Sequence, residues 1–199
     1  MRNLVTPIGT IVFGSIIEAR ENPNSGKVEW NLGLVLSNED SETILEAIEQ
    51  ALAAKRAADP RFPATNEKLK FPYRMSEKKN EEGFKEPDPD NMLWSFKRNS
   101  TYRTKTGELA KQAPPSLYDS LGRVVTGTIE RIPPRSTGKV VYDIYVYDMP
   151  AMKGVSLQVK GFQVAELRQD EAQLAPIEGG WVADESELDS ITAALAGDA

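Results

Sequence analysis

Residues 27–36 read Lys-Val-Glu-Trp-Asn-Leu-Gly-Leu-Val-Leu. Val28, Trp30, Leu32, Leu34 and Leu36 recur at every second position, so an extended strand puts them all on one face. A helix would scatter them. The segment before it, 8–19, is rich in β-branched residues and is expected to form the first strand. Gly9 and Gly14 within it suggest bends or a bulge, as a tightly curved sheet needs. Asn22-Pro23-Asn24-Ser25-Gly26 supplies the turn between the two. Residues 8–36 therefore open the fold as a hairpin with an inward row of Leu and Trp, and Trp30 is expected in the core.

One stretch has the helical period. Ile44, Leu45, Ile48 and Leu52 predict a helix over 41–58, capped by Asp40 or Ser41. Acids at its start (Glu39, Asp40, Glu42) and bases at its end (Lys55, Arg56) suit the helix dipole, and Pro60 lies beyond it. Residues 59–92 are polar and rich in Pro, Lys and Glu, and they read as a long loop insertion with little regular structure. Further strands are expected at 92–103, 122–132, 138–149 and 154–165, with 140–147 (Val-Val-Tyr-Asp-Ile-Tyr-Val-Tyr) the strongest β segment. The fold class is thus all-β: a five- to six-stranded β-barrel with one main helix between strands two and three.

Composition narrows the chemistry. The chain has no Cys and no His. Thiolate nucleophiles, disulfides, Cys-based zinc sites and the commonest general base are all absent. No catalytic residue, metal or cofactor is expected. No apolar run approaches the roughly 20 residues of a membrane span, and the N-terminal residues lack a signal-peptide core. A soluble, cytoplasmic protein is the expectation.

The net charge is −6, but it is unevenly placed. After Arg168 there is no Lys or Arg, and eight acids follow: Asp170, Glu171, Glu178, Asp184, Glu185, Glu187, Asp189 and Asp198. The rest holds 24 basic against 22 acidic residues. Residues 94–139 carry nine basic side chains against Glu108, Asp119 and Glu130. This divides the chain into a body, 1–168, and an acidic tail, 169–199, with a short amphipathic helix expected at 185–196.

Cations interleaved with rings suit an unpaired nucleic-acid strand. Cations track the phosphates, and flat side chains stack on bases of any identity. Three clusters combine both: Phe71–Lys79, Trp94–Lys105, and Arg135–Lys139 leading into Tyr142, Tyr145 and Tyr147. The candidate binding residues are Tyr73, Arg74, Trp94, Phe96, Lys97, Arg98, Tyr102, Arg103, Lys105, Arg135, Lys139 and Tyr142. Alternation leaves a choice on the 94–99 strand. If Trp94 and Phe96 are core, Lys97 and Asn99 face outward; if those rings line a groove, Arg98 joins them. Tyr145 and Tyr147 share one face and Tyr142 takes the other, and one face must be core.

The opening Thr6-Pro-Ile-Gly-Thr-Ile-Val-Phe13, the return strand Val28–Leu36 and the helix Asp40-Ser-Glu-Thr-Ile-Leu-Glu-Ala-Ile48 resemble the single-stranded DNA-binding proteins of tailed bacteriophages. So do Trp94-Ser-Phe-Lys-Arg-Asn99 and the closing Gly154-Val-Ser-Leu-Gln-Val-Lys-Gly-Phe-Gln163 with Val164-Ala-Glu-Leu-Arg168. The resemblance covers about 8–168. It implies a five-stranded OB-fold barrel with the helix placed as above. It also implies coating of single strands in phage replication and recombination, in the host cytoplasm, and an acidic tail that recruits other replication or recombination proteins. Asp184, Glu185, Glu187, Asp189 and Asp198 would make up that partner-binding tail and would compete with DNA for the cationic groove; the plainer alternative is a solvated terminus. Tails of this kind end in an aromatic residue, whereas this chain ends Ala196-Gly-Asp-Ala199. Two rivals remain: a carboxylate metal-dependent nuclease built on Glu86, Asp88 and Asp90, and a structural β-protein of a virion.

Overall fold

The computed structural model describes residues 2–23, 25–80, 82–104, 106–126, 129 and 131–168. The alternating stretch forms β3 (Val28–Ser37), paired antiparallel with β2 (Gly9–Glu21). A two-residue strand, β1 (Leu4–Val5), precedes them and pairs with Val141 and Tyr142 late in the chain. Trp30, Leu32, Leu34 and Leu36 are all buried, as their spacing predicts. The register of β2 slips between Ile11 and Phe13 and again between Ser15 and Arg20, on either side of Gly14.

Helix α1 (Asn38–Ala58) starts three residues before the periodic stretch. Its cap is Ser37, whose Oγ accepts the Asp40 N–H at 3.0 Å. Ser41, Ile44, Ile48 and Leu52 form the buried face. Ser41 sits there because both ends of its hydroxyl are used: it accepts the Trp94 Nε1–H at 2.9 Å and donates to the Ser37 carbonyl at 2.8 Å. That satisfies the one polar atom of a fully buried indole.

The polar stretch 59–92 is more regular than its composition suggests. It contains β4 (Leu69–Lys70), β5 (Tyr73–Lys79) and the first part of β6 (Lys85–Asn99). β5 and β6 pair antiparallel through a turn in which Gly83 takes φ +84°. Much of this hairpin lies in solvent on both faces, so no period-2 apolar row marks it. Cross-strand ion pairs, Lys85–Glu77 at 3.3 Å and Lys78–Glu86 at 3.9 Å, accompany its ladder. Pro87 and Pro89 precede Asn91, where the pairing of β6 with β3 begins.

After β6 come the small hairpin β7 (Thr101–Arg103) and β8 (Leu109–Lys111), then β9 (Ser116–Tyr118), β10 (Thr137–Met149) and β11 (Met152–Glu166). The strand expected at 122–132 does not form among its described residues, where Val124 makes a single bridge to Tyr118. Asp119 directs the chain into a turn there, its Oδ1 accepting the N–H groups of Leu121 at 3.0 Å and Arg123 at 2.8 Å.

The barrel closes in the order β2–β3–β6–β11–β10–β2. β6 and β11 run parallel, with Phe96 opposite Leu157; the other barrel pairs are antiparallel. With α1 between the second and third barrel strands, this is the OB barrel expected. Its interior is filled by Leu32, Leu34, Trp94, Phe96, Val140, Tyr142, Leu157, Val159 and Phe162. No helix among the described residues is long and apolar enough to cross a membrane. Residues 169–199 lie outside the described residues, and with them the acidic segment, the helix expected at 185–196 and the tail carboxylates.

Two outcomes follow from this core. Ser41→Ala strands the Trp94 N–H without an acceptor and is expected to cost about 1–3 kcal/mol in denaturant unfolding. Burial pushes the Tyr142 hydroxyl up to about 12 from 10.0. The folded state therefore holds that proton more tightly than the unfolded chain does. Its contribution to stability is fully present below pH 10 and is lost as pH rises through 10 to about 12. Tyr142→Phe should blunt the alkaline fall in melting temperature over that interval.

Candidate nucleic-acid interface

A cleft of about 750 Å³ runs along the outer face of the barrel. Ser95 of β6 and Ser156 of β11 belong to its lining, and Gly33 of β3 lies opposite Ser95. Gly33 has a definite role: a Cβ there would lie 2.6 Å from Cζ of Phe13, so the ring occupies the space a side chain would take. Phe13 is outside because of the slip in β2. Ile11 pairs with Leu34 and faces the core, Val12 is the extra residue, and Phe13 then pairs with the outward Gly33. Without that bulge Phe13 would follow Ile11 inward.

Tyr145 and Tyr147 of β10 enter from the other side. Tyr145 is 54% exposed, as suits an open ring face. Tyr147 is half-buried, its hydroxyl in the space above Gly154, where a Cβ would stand 2.7 Å from the Tyr147 oxygen and 2.8 Å from the Lys70 backbone nitrogen. Burial raises the Tyr147 hydroxyl above the ordinary tyrosine range. The close approach at Gly154 also lets β4 pair in parallel with β11, which carries Lys70, Phe71 and Arg74 to the cleft wall.

The charge lining this cleft is one-sided: Lys27, Lys70, Arg74, Lys97 and Arg98 against Glu29. Glu29 is buried and accepts from Asn22 Nδ2 at 2.6 Å. Lys27, Lys70 and Lys97 have no carboxylate partner among the described residues. Arg74 shares Glu77 at 3.7 Å across an exposed surface, a weak tie.

Several residues expected at the interface are here: Tyr73, Arg74, Lys97 and Arg98 all border the cleft. Tyr73 does so as a wall. Its ring packs on Trp94 at 4.9 Å and Phe71 at 5.5 Å, and burial, with Glu49 of α1, raises its hydroxyl. Three expectations are corrected. Trp94 and Phe96 are 0% exposed and Tyr142 is 2% exposed, so none can meet a base. They fill the inward face of β6 and β10, and Phe96 meets Tyr142 edge-on at 5.4 Å. With those rings inside, alternation turns Ser95, Lys97 and Asn99 outward into the cleft.

Tyr102 is exposed on β7, outside this cleft but in a neighbouring depression that shares Arg98. Arg103 also points to solvent, donating from Nη1 to the Gly107 carbonyl at 3.1 Å. Arg135 takes φ +68° where its N–H reaches the Ile11 carbonyl at 2.7 Å, and neither it nor half-buried Lys139 borders the cleft. Lys105 lies outside the described residues.

No protein-family model and no curated protein matches the sequence. Solved structures do match the fold. One is gp2.5, a single-stranded DNA-binding protein encoded by bacteriophage T7, with a TM-score of 0.60 and 19% identity over 89% of this chain and 98% of that one. Another is the single-stranded DNA-binding protein from bacteriophage Enc34 in complex with ssDNA, with a TM-score of 0.56 and 8% identity over 83% of this chain and 86% of that one. The chain has the fold of these phage single-stranded DNA-binding proteins. At such identities the likeness fixes the barrel and its strand order, and the lining of the cleft is this chain's own.

Phe13, Lys27, Lys70 and Tyr145 line the cleft but were not among the candidate binding residues, although Tyr145 belonged to one of the ring-and-cation clusters. Tyr145 could have been chosen over Tyr142 only by knowing which face of β10 is buried. Tyrosine nitration followed by peptide mapping checks that assignment. Tyr145 and Tyr102 should be modified at low reagent concentration while Tyr142 stays protected; modification of Tyr142 ahead of Tyr145 would reverse the two faces.

Proposed function

We propose that this chain binds single-stranded DNA along the outer cleft of the barrel without regard to base sequence. The observation that carries this reading is the cleft itself, where exposed rings and unpaired lysines share one trough. Bases stack on Phe13 and Tyr145, whose faces accept any base. Phosphates lie along Lys27, Lys70, Arg74, Lys97 and Arg98, releasing their counterions on binding. A structurally similar phage protein described in complex with ssDNA supports the same reading.

On this reading the protein acts in phage replication and recombination in the host cytoplasm. The acidic segment, with Asp184, Glu185, Glu187, Asp189 and Asp198, recruits partner proteins. No bond-breaking chemistry is assigned to the chain. Glu86 makes only a weak exposed pair with Lys78 at 3.9 Å, Asp88 accepts from the Asp90 N–H at 3.3 Å and from Asn91 Nδ2 at 2.8 Å, and no group of three potential metal ligands occurs among the described residues.

Fluorescence anisotropy with oligo-dT tests the reading. A Lys27→Ala/Lys97→Ala variant should bind every sequence more weakly and lose about 1.4 from the slope of log K against log salt, at about 0.7 per cation on a single strand. A Phe13→Ala/Tyr145→Ala variant should lose about 1–3 kcal/mol per stacked base with little change in that slope. Wild-type protein that ignores oligo-dT at about 50 mM salt would refute the function outright.

A further inference from the structure

A second, smaller depression of about 340 Å³ adjoins the cleft, and Arg98 and Gln158 belong to the walls of both. Tyr102, Lys111 and Lys160 join them from β7, β8 and β11, with Gln112 and Ala113. Three features point to an anionic ligand.

Arg98 is a half-buried guanidinium with no carboxylate in ion-pair range among the described residues. Its Nε donates to Gln112 Oε1 at 2.6 Å, which leaves its terminal nitrogens without a protein acceptor among those residues. Asp143 is close enough to favour the charge, but its oxygens are taken by Lys160 at 3.4 Å and by the Asn3 N–H at 2.9 Å. A charge drawn out of water without a partner is costly, and an arriving anion offsets that cost. Lys111 is exposed and has no carboxylate partner among the described residues, and no acid lines the depression. Tyr102, 47% exposed, offers a ring beside these cations.

We propose that the depression is a second subsite for the same unpaired strand, with Arg98 as the post at which the strand turns out of the cleft. A phosphodiester docks on the open edge of the Arg98 guanidinium. The neighbouring base lies on Tyr102, and Lys111 meets the next phosphate. This rests on the cleft being the single-strand site and extends that site past the end of β6 onto the β7–β8 hairpin.

The test is a ladder of oligo-dT from about 4 to about 16 nucleotides, the span of site sizes found for OB folds. It compares wild-type protein with a Tyr102→Ala/Lys111→Ala variant. Both side chains are exposed, so the barrel is left intact. The variant should equal wild type on the shortest oligonucleotides that bind, and fall about tenfold behind on the longest, an effect the size of one lost stack. Its salt slope on long oligonucleotides should drop by about 0.7, for one cation, and stay unchanged on short ones. Equal affinities at every length would overturn the second subsite while leaving the cleft standing. An equal loss at every length would also overturn it, by placing Tyr102 and Lys111 in the first site. Wild-type protein that binds no oligonucleotide would bring down the parent reading, and this one with it.

Discussion

A closed five-stranded barrel has room inside for one face of each strand. That constraint decides what the outside can do. On β6 it takes in Trp94 and Phe96 and leaves Ser95, Lys97 and Asn99 out. On β10 it takes in Val140, Tyr142 and Ile144 and leaves Tyr145 and Tyr147 out. A residue type suited to binding bases is equally suited to filling a core, so sidedness rather than chemistry separates the two roles. The hydrogen bond from Trp94 to Ser41 makes the choice on β6 decisive. An indole whose N–H is tied to the helix cannot swing out without stranding a buried polar atom.

Much of the barrel was legible because its strands are amphipathic. The Leu/Trp row of β3, the helix after it and the β10 segment all carry their period openly. The β5–β6 hairpin was not legible, since a ribbon solvated on both faces has no reason to alternate; its cross-strand charge pairs look, in sequence, like any mixed polar loop. The strand expected at 122–132, which does not form among its described residues, was misread for a different reason. Its Val and Ile residues fit the β pattern, but the Asp119 side chain offers the backbone a competing set of acceptors. At the interface, the cations of β6 could be read from sequence. Phe13 could not, because one extra residue in β2 inverts the face of the residues that follow, as far as the next slip after Ser15. Lys70 reaches the cleft only through a parallel pairing with β11, some eighty residues later in the chain.

The charge of the whole chain and the charge of the cleft point in opposite directions. A net −6 predicts repulsion from a polyanion. Yet screening limits exposed charges to about 10 Å at 0.1 M salt, so a strand lying in the cleft responds chiefly to what lines it. There the balance is five cations to one buried carboxylate. Eight of the acids that set the overall sign are in the segment after Arg168, apart from the barrel in sequence. Net charge is therefore a poor guide to this surface, and the positions of the ion pairs are a better one. Lysines tied to aspartates, such as Lys55 and Lys153, lie around Asp148, whereas those of the cleft are left untied.

The rings of the cleft also differ in how firmly they are held, and that bears on which can stack. Phe13 is seated over Gly33, and on the proposed reading that backing would lower the ordering cost of stacking a base on it. Tyr73 is held still more firmly, between Phe71 and Trp94, but at the expense of its open face. Tyr145 has the most open face and the least support, so ordering it offsets part of what stacking contributes. On the proposed reading, a strand entering this trough would meet Phe13 over its glycine on one side and the more exposed Tyr145 on the other. The bulge in β2 and the missing side chain at Gly33 thus do together what neither could do alone: the first turns Phe13 outward, and the second gives it a surface flat enough to lie on.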